Sequence, residues 1–305
     1  MKKVLITGSN GFLGQKLVKI LIAKTEFDLL GVSRGENRLS YLPNSNYQSL
    51  DILDFEKVNE LVSNYLPDYI INTAALTNVD QCKEEKQECW ELNVDVVENL
   101  TKICAEINSH LIHLSTDFVF DGENGPYKED DKPNPLSYYA KSKLASEEVL
   151  LKSNINWTII RTILVYGLTE NNSRSNVVTW VKESLEQGKD INVVTDHIRM
   201  PTLVEDLAQA CILAIKNDAK GIYHISGKDM LSVYEMALKV ADVFDLNASK
   251  ISPTVSKQFT DADPRPPKTG FILDKARKDL GYQPHSFEDG LELIKKQYEL
   301  ITPNS

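Results

Sequence analysis

The sequence predicts an α/β protein with a doubly wound parallel sheet and a smaller C-terminal α/β lobe. Across the first 165 residues, short strand-like apolar runs alternate with segments whose apolar residues recur at helical spacing. A glycine-rich turn joins the first of these runs to the first helical segment. After Gly167 the pattern changes to helical segments with few strand-like runs between them. The alternation predicts parallel strands joined by crossover helices, and the change predicts a second, smaller lobe.

In the first part of the chain, the apolar runs give the strands and the periodic segments give the helices. Leu13, Leu17 and Leu21, for example, fall on one face of the first helical segment. The predicted strands are Val4–Thr7, Leu29–Ser33, Tyr69–Asn72, Leu111–Ser115 and Trp157–Val165. The predicted helices are Phe12–Ala23, Val58–Leu66, Asn93–Ile107 and Ser137–Lys152.

In the second part, one strand is predicted among several helices, and a proline-rich loop interrupts them. The helices are Val177–Gln187, Val204–Ile215, Val233–Phe244, Asp274–Leu280 and Phe287–Leu300, with the strand at Ile222–Ile225. The prolines of 263–268 predict an extended loop, because proline removes a donor and restricts the residue before it. We therefore expect one domain over residues 1–167 and a lobe over residues 168–305 that returns a strand to the first domain.

Composition excludes several classes of function. The 305 residues include 34 Lys and Arg against 44 Asp and Glu, a net charge of −10, which argues against nucleic-acid binding through a broad basic face. The sequence contains no apolar stretch of the roughly 20 residues that a membrane helix needs, and its first apolar run is short for a secretory signal. The four cysteines have no metal-ligand spacing, so we expect no metal site. A cytoplasmic protein without membrane or nucleic-acid partners is therefore expected.

The glycine-rich turn, TGSNGFLG, predicts a dinucleotide-binding (Rossmann) domain over residues 1–167. Its glycines follow the spacing GxxGxxG and allow a tight turn, close approach of a pyrophosphate and close packing of helix on strand. The following helix adds amide donors and a partial positive charge at its N-terminus. The residues expected to contact the cofactor here are Gly8, Asn10, Gly11, Phe12, Leu13 and Gly14.

The end of the second predicted strand bears on the choice between NAD and NADP. An acidic residue there would bind the ribose 2′-hydroxyl of NAD, whereas this chain has Ser33 and Arg34. The sequence therefore favours NADP, with NAD as the alternative. Asp51 and Ile52 either flank the adenine or end a strand. Further cofactor contacts are expected at Ala74, Ala75 and Thr77.

Tyr139 and Lys143 are four residues apart in a predicted helix and so share one face. They follow a strand-like run that ends near Thr116, and ligands of open α/β sheets bind at such strand ends. Reduction of a ketone by hydride needs a proton donor for the developing alkoxide. An ammonium group beside a phenol lowers its pKa, and a hydroxyl can orient the carbonyl. We assign Tyr139 as general acid, Lys143 as pKa modifier and ribose ligand, and Thr116 as carbonyl-positioning residue.

Several segments together resemble the extended short-chain dehydrogenases/reductases, and within them the dTDP-4-dehydrorhamnose reductases. These segments are TGSNGFLG, NTAALTNVDQCKEE, LSTDFVFDG, PYKEDDKPNPLSYYAKSKLASEE, RTILVYG, RMPTLVEDLA and GIYHISG. The resemblance covers essentially the whole chain. It implies reduction of the 4-keto group of dTDP-6-deoxy-L-lyxo-4-hexulose by NAD(P)H, giving dTDP-L-rhamnose. It also implies that Thr116, Tyr139 and Lys143 are the catalytic residues, in agreement with the assignment above. The resemblance is also compatible with a homodimer as the oligomeric state.

The resemblance also implies substrate contacts, and at two of these the sequence departs from the family. Members usually carry a tyrosine where this chain has Phe118, and a tryptophan where it has Leu164. Both changes alter the polarity and shape of a sugar pocket, on which discrimination depends. Arg199 is a further candidate, and Arg265 is a candidate ligand of a nucleotide diphosphate. We therefore expect a nucleotide-diphosphate sugar substrate in the lobe of residues 168–305, with its exact sugar and nucleotide open.

Two other functions stay open at this point. Some of the same segments resemble the regulatory β subunit of methionine adenosyltransferase, which implies NADP binding without reductase chemistry. A nucleotide-sugar epimerase or dehydratase is the second alternative. The intact set of Thr116, Tyr139 and Lys143 favours an enzyme, because a pure binding subunit needs no proton donor.

Overall fold

The computed structural model describes residues 1–170, 175–258 and 263–301, and it confirms the predicted α/β class with a parallel central sheet. The first part contains β1 (Lys2–Thr7), α1 (Phe12–Ile22), β2 (Phe27–Ser33), β3 (Tyr47–Ser49), α2 (Phe55–Tyr65), β4 (Tyr69–Asn72), α3 (Val79–Glu84), α4 (Lys86–Trp90), α5 (Val96–Ile107), β5 (His110–Thr116), α6 (Tyr138–Leu151), β6 (Asn156–Thr162) and β7 (Val165–Tyr166). The second part contains α7 (Val177–Glu186), β8 (Ile191–Val194), β9 (Ile198–Arg199), β10 (Thr202–Leu203), α8 (Val204–Lys216), β11 (Gly221–Ile225), β12 (Leu231–Ser232), α9 (Val233–Val243), β13 (Ile251–Thr254), α10 (Asp274–Leu280) and α11 (Phe287–Ile301).

In the described part of the chain, the central sheet has seven strands in the order β11-β6-β5-β4-β1-β2-β3. All its neighbours are parallel; Val4 of β1, for instance, is in register with Leu29 on one side and Tyr69 on the other. The chain winds outward from β1 in one direction and from β4 in the other. Ligands of such sheets bind where this order reverses, at the carboxyl ends of the strands. The glycine-rich turn and Thr116 lie at that edge.

Helices cover both faces of the sheet, which explains why its strands are nearly continuous apolar runs. Val4 and Ile6 belong to a core that includes Leu17 of α1 and Leu207 of α8, whereas Leu5 belongs to the opposite core with α2 and α5. This alternation follows from the period of two along a strand. Within the described ranges, no helix is both long and apolar enough to span a bilayer.

The second part of the chain completes the first core and builds another. β11 pairs with β6 in the central sheet, and α8 and α10 pack on the same face as α1. A separate core joins Val181 of α7, Val240 of α9 and Leu291 of α11. The division of the chain at residue 167 stays a prediction, because the second part belongs to both cores.

The predicted strand Trp157–Val165 is wrong as a single element. β6 ends at Thr162, and Leu164 has φ of 34°, which interrupts the extended backbone. Val165 and Tyr166 then form a separate strand that pairs with β10. Similarly, the predicted helix 93–107 begins as a π-helical turn over 91–95, which continues from α4 into α5.

Candidate active site

The glycine-rich turn is packed so tightly against β4 and α1 that it requires glycine. Gly8 has φ of 69°, and a Cβ there would lie 2.8 Å from Thr73 Oγ1. A Cβ on Gly14 would lie 2.2 Å from the Gly8 carbonyl oxygen, so only glycine lets α1 approach the turn. The backbone thus forms a surface without side chains at the carboxyl end of β1.

The N-terminus of α1 offers backbone donors beside this turn. Among the described residues, no side chain caps its first turn, and that turn contains no acidic residue. Phe12 is partly buried and Leu13 packs into the core, so both can contact a ligand here mainly through their backbone. Free amides and the helix dipole suit an anion such as a pyrophosphate.

Asn10 fastens the glycine-rich turn to the segment after β2. Its backbone N–H donates to Ser33 Oγ over 3.0 Å, and its Nδ2 donates to the Glu36 carbonyl oxygen over 2.9 Å and to Tyr47 Oη over 3.0 Å. Its Oδ1 accepts from the backbone N–H of Arg38 over 3.1 Å. Because these bonds use its side chain, Asn10 shapes the turn.

Arg34 and Asp51 lie next to each other beyond the ends of β2 and β3. The Arg34 side chain is 68% exposed, and its guanidinium is 3.9 Å from the Asp51 carboxylate. Such an exposed pair contributes at most about 1 kcal/mol, so Arg34 can turn towards a phosphate at little cost. Ile52, the residue after Asp51, is buried, and Ser33 Oγ accepts from the Asn10 N–H.

The segment 74–77 after β4 is held by a residue that sequence reasoning overlooked. Asn93, buried in the π-helical turn, accepts from the Leu76 N–H over 2.9 Å and donates to the Leu76 carbonyl oxygen over 3.0 Å. Its Nδ2 also lies 3.0 Å from Ser142 Oγ on α6. Asn93 therefore links the predicted cofactor contacts at Ala74, Ala75 and Thr77 to the helix that carries Tyr139. In the sequence it marked only a helix start.

The structure places Thr116 near Tyr139, with Lys143 one helical turn further along α6. Ser137 caps this helix by accepting from the Ala140 N–H over 3.2 Å. Burial raises the pKa of Tyr139, and a hydrogen bond with Thr116 opposes that rise. Thr116 ends β5, where its Oγ1 also accepts from the backbone N–H of Phe118 over 3.2 Å. The Thr116 hydroxyl and the Tyr139 phenol thus lie close together at the edge of the sheet.

Lys143 is almost completely buried, with 3% of its surface exposed. Burial lowers its pKa to about 8, and the carboxylate of Glu147 opposes this change. Its Nζ lies 3.2 Å from Nε2 of His113 on β5. The sequence assigned no role to this histidine.

A buried ion pair fixes α6 to the sheet directly behind the site. Arg161 of β6 forms a fork with Glu147 of α6, with its shortest N···O distance 2.6 Å, and Ser115 of β5 donates to the same carboxylate. The guanidinium also lies 5.1 Å from the centre of the Phe120 ring and 3.3 Å from Nε2 of His224. These contacts hold β5, β6 and α6 in one arrangement, which positions Tyr139 and Lys143.

Arg199 has its donors directed into the protein. Its NH1 donates to the Ile198 carbonyl oxygen over 2.8 Å and its NH2 to the Pro266 carbonyl oxygen over 2.6 Å, while Nε is 4.0 Å from the Asp117 carboxylate. The guanidinium also lies 5.5 Å from the centre of the Phe118 ring. In this arrangement Arg199 braces the proline-rich loop, and a direct contact with substrate stays a prediction.

Arg265 belongs to a loop that is fastened next to Tyr139. Its NH2 donates to Asp80 Oδ2 of α3 over 2.7 Å, and this bond lowers the pKa of the Asp80 carboxyl group. Asp80 also accepts from the Asp263 N–H over 2.9 Å, and Asp263 accepts from the Tyr138 N–H over 3.3 Å. The loop is therefore tied to the starts of α3 and α6.

Phe118 and Leu164, at which the chain departs from the family it resembles, both present apolar surface near strand ends. The Phe118 ring meets Tyr139 edge to face, with ring centres 6.2 Å apart. Leu164, which follows β6, is 37% exposed and keeps a left-handed backbone that is unfavourable for leucine. Backbone strain of this kind is concentrated at ligand sites.

Comparison with known proteins gives a family and two kinds of relative. Residues 1–300 match the family described as RmlD substrate binding domain. The chain is 34% identical over 271 residues to methionine adenosyltransferase 2 subunit beta of Xenopus tropicalis, which covers 87% of this chain and 78% of the relative. It is 32% identical over 316 residues to a dTDP-4-dehydrorhamnose reductase of Aggregatibacter actinomycetemcomitans, which covers 98% and 100%.

A solved structure extends the similarity to three dimensions. The dTDP-4-dehydrorhamnose reductase of Bacillus anthracis, crystallised in complex with NADP, superposes with a TM-score of 0.82 at 28% identity, covering 97% of this chain and all of the other. Because similar proteins include both a reductase and a subunit of another enzyme, the chemistry of the site has to decide between their functions.

Proposed function

The chain belongs to the RmlD substrate binding domain family, and from that membership we propose that it is an NADP-dependent reductase of a nucleotide sugar. The proposed reaction reduces the 4-keto group of a dTDP-6-deoxy-4-keto-hexose, giving dTDP-L-rhamnose or a related sugar. The observation that carries this proposal is the placement of buried Tyr139 near Thr116 at the end of β5, with Lys143 on the next turn of the same helix. A binding protein has no use for a buried proton donor at this edge of the sheet.

The residues at this edge fit a dinucleotide. The turn around Gly8 and Gly14 forms a cradle that a Cβ would fill, and α1 adds its N-terminal amides. Arg34 supports NADP over NAD because its guanidinium is exposed and can pair with a 2′-phosphate. The reductase structure with NADP supports the same choice.

In the proposed mechanism, each residue of the trio acts on the keto group or on the cofactor. The bound cofactor supplies the hydride to the keto carbon. Tyr139 holds a proton at its phenolic oxygen and donates it to the oxygen that becomes the alkoxide. Thr116 orients that oxygen through its hydroxyl, and Lys143 binds the ribose and favours the phenolate that remains.

The proposal is tested by turnover of a panel of dTDP- and GDP-linked 4-keto sugars with NADPH, followed by the nicotinamide absorbance. We expect Tyr139→Phe to slow reduction by about 10²-fold or more, because the proton donor is lost while NADPH still binds. Tyr138→Phe is the matched control, since the ring of this neighbouring tyrosine lies tilted beside Trp90, with ring centres 6.5 Å apart, and belongs outside the trio. Near wild-type turnover by Tyr139→Phe would contradict the assigned role.

A second candidate is an NADP-binding regulatory subunit, which the similarity to methionine adenosyltransferase 2 subunit beta supports. Phe118 and Leu164 keep it open, because they replace residues expected in the sugar pocket. Binding of NADPH, no reduction of any keto sugar in the panel and association with a methionine adenosyltransferase would together favour this candidate. An epimerase, in contrast, would retain tightly bound NAD through purification.

A further inference from the structure

His113 is a buried titratable residue next to the proposed catalytic lysine, and the mechanism above does not use it. Only 1% of its surface is exposed. Its Nδ1 lies 3.2 Å from Asn72 Nδ2, and its Nε2 lies 3.0 Å from Ser146 Oγ and 3.2 Å from Lys143 Nζ. Both ring nitrogens are therefore engaged by groups of the protein.

Ser146 determines which ring nitrogen carries the proton. Its hydroxyl has one hydrogen and donates it to the Lys143 carbonyl oxygen over 2.6 Å, since a carbonyl can only accept. Towards His113, the Ser146 oxygen must therefore accept. The Nε2 atom of His113 consequently carries a hydrogen.

Asn72 specifies the same tautomer from the other side of the ring. Thr7 Oγ1 donates to Asn72 Oδ1 over 2.6 Å, so the amide nitrogen of Asn72 faces His113 and donates to Nδ1. Nδ1 therefore has no hydrogen, and the ring is neutral. In agreement with this, burial and Lys143 hold the pKa of His113 well below its ordinary value.

This tautomer has a consequence for Lys143. An ammonium group has no lone pair, so it cannot accept a hydrogen bond from the Nε2–H group of His113. In the charged form of Lys143, two hydrogen-bond donors therefore face each other. A neutral amine can accept that hydrogen. A hydrogen bond made only by the neutral form lowers the affinity of a group for its proton.

We propose that His113 is a positioning residue that acts through Lys143: its Nε2–H group, directed by Asn72 and Ser146, favours the neutral amine and turns the ammonium away from β5. This role within the reaction rests on the reductase function proposed above. It would let Lys143 exchange a proton near neutral pH, so that the lysine can help return a proton to Tyr139 after each turnover.

Other groups around Lys143 also affect its pKa. Burial lowers the pKa of Lys143 to about 8, whereas the Glu147 carboxylate on the same helix, and a thiolate at Cys89 on α4 or Cys82 on α3, favour its charged form. Since the reference pKa lies far above neutrality, a value of about 8 means that the charge is present at pH 7 and lost in mildly alkaline solution. One N–H contact can therefore change the charged fraction measurably in this range.

The test measures the titration of Lys143 directly, in the full chain and without substrate or cofactor. Lysines carrying ¹³C at Cε are followed by NMR through neutral and alkaline pH, and the Lys143 signal is identified by its loss in Lys143→Met. We expect His113→Phe to raise the pKa of Lys143 by about one unit, because the ring remains but its N–H is removed. Ser146→Ala should lower it, since the Nε2–H then points to Lys143 alone.

If the pKa of Lys143 shifts in opposite directions in His113→Phe and Ser146→Ala, the proposal is supported. If it shifts in the same direction in both variants, or in neither, the proposal is overturned. Nitrogen-15 labelling of the histidine rings adds a measurement on the unaltered chain, which remains decisive if His113→Phe does not fold. A His113 ring with a proton on Nε2 and none on Nδ1 supports the proposal, and the reverse tautomer overturns it. If the lysine shifts occur but no keto sugar is reduced, the contact of His113 with Lys143 stands and the reductase function fails.

In active enzyme, the alkaline limb of the kcat–pH profile should move with the Lys143 titration in both variants. A merely structural role of His113 would lower kcat without moving that limb.

Discussion

Tyr139 keeps its proton more firmly than a free tyrosine because burial raises the pKa of its phenol. A general acid must be protonated at the start of each turnover, so this environment suits donation of a proton to an alkoxide. The same burial disfavours the phenolate that donation leaves behind. A nearby ammonium offsets that cost, and the lowering of the Tyr139 pKa by Lys143 stays a prediction.

Arg34→Ala should weaken NADPH binding about tenfold and leave NADH binding nearly unchanged, because a charge-assisted bond to the 2′-phosphate is lost. Fluorescence titration of each nucleotide measures both affinities. Asp51→Asn is the matched control, since it removes the carboxylate 3.9 Å from Arg34 and should keep or strengthen NADPH binding. Equal loss of both nucleotides in Arg34→Ala would remove the argument for NADP.

Single residues were predictable where a local pattern carried their chemistry. Tyr139 and Lys143 follow from helical spacing, and the glycines of the turn follow from their place between strand and helix. Asn93 and His113 could not be found this way, because their partners come from other strands and helices. Arg199 was a candidate from the sequence, but its bond to the proline-rich loop could not be found this way, because its NH2 bonds to a carbonyl oxygen 67 residues away.

At the scale of elements, α6 depends on the buried pair of Glu147 and Arg161. Arg161→Met should lower the free energy of unfolding by about 3–5 kcal/mol, because it leaves the Glu147 carboxylate buried and unpaired. Denaturant unfolding followed by circular dichroism measures the change. The double variant with Glu147→Leu should recover much of the loss, since it removes the unpaired charge. A double variant less stable than Arg161→Met alone would show that the charge is not the cause.

Elements with a local boundary signal followed from the sequence, and the two-residue strands did not. Tyr69–Asn72 and Asp274–Leu280 have the bounds that the pattern predicts, because Pro67 precedes the first closely and Gly281, in the left-handed conformation, ends the second. The two-residue strands β7, β9, β10 and β12 exist only through pairing with distant segments. The overlong prediction at β6 has a single cause, which is the left-handed backbone of Leu164.

At the scale of the whole molecule, the loop with Arg265 joins the second part of the chain to the first. Arg265→Ala should raise the KM for a nucleotide sugar severalfold with kcat and NADPH affinity nearly unchanged, because it removes a diphosphate ligand far from the reacting carbonyl. Steady-state kinetics and nucleotide titration separate these quantities. Arg277→Ala is the control, since this arginine is exposed on α10 and pairs with Asp274. A lower kcat at constant KM would instead assign Arg265 to positioning Tyr139 through the loop.

Because β11 and α8 return to the central sheet, the two parts of this chain are not interchangeable modules. A fragment cut after residue 167 would expose the outer edge of β6, which pairs with β11 in the whole chain, and would lose α8, which covers Leu17 of α1. Unpaired strand edges of this kind promote aggregation. We therefore expect an exchange of such halves between relatives to disrupt the sheet. Changes of specificity are expected instead in the loops at the strand ends, with the interleaved scaffold kept whole.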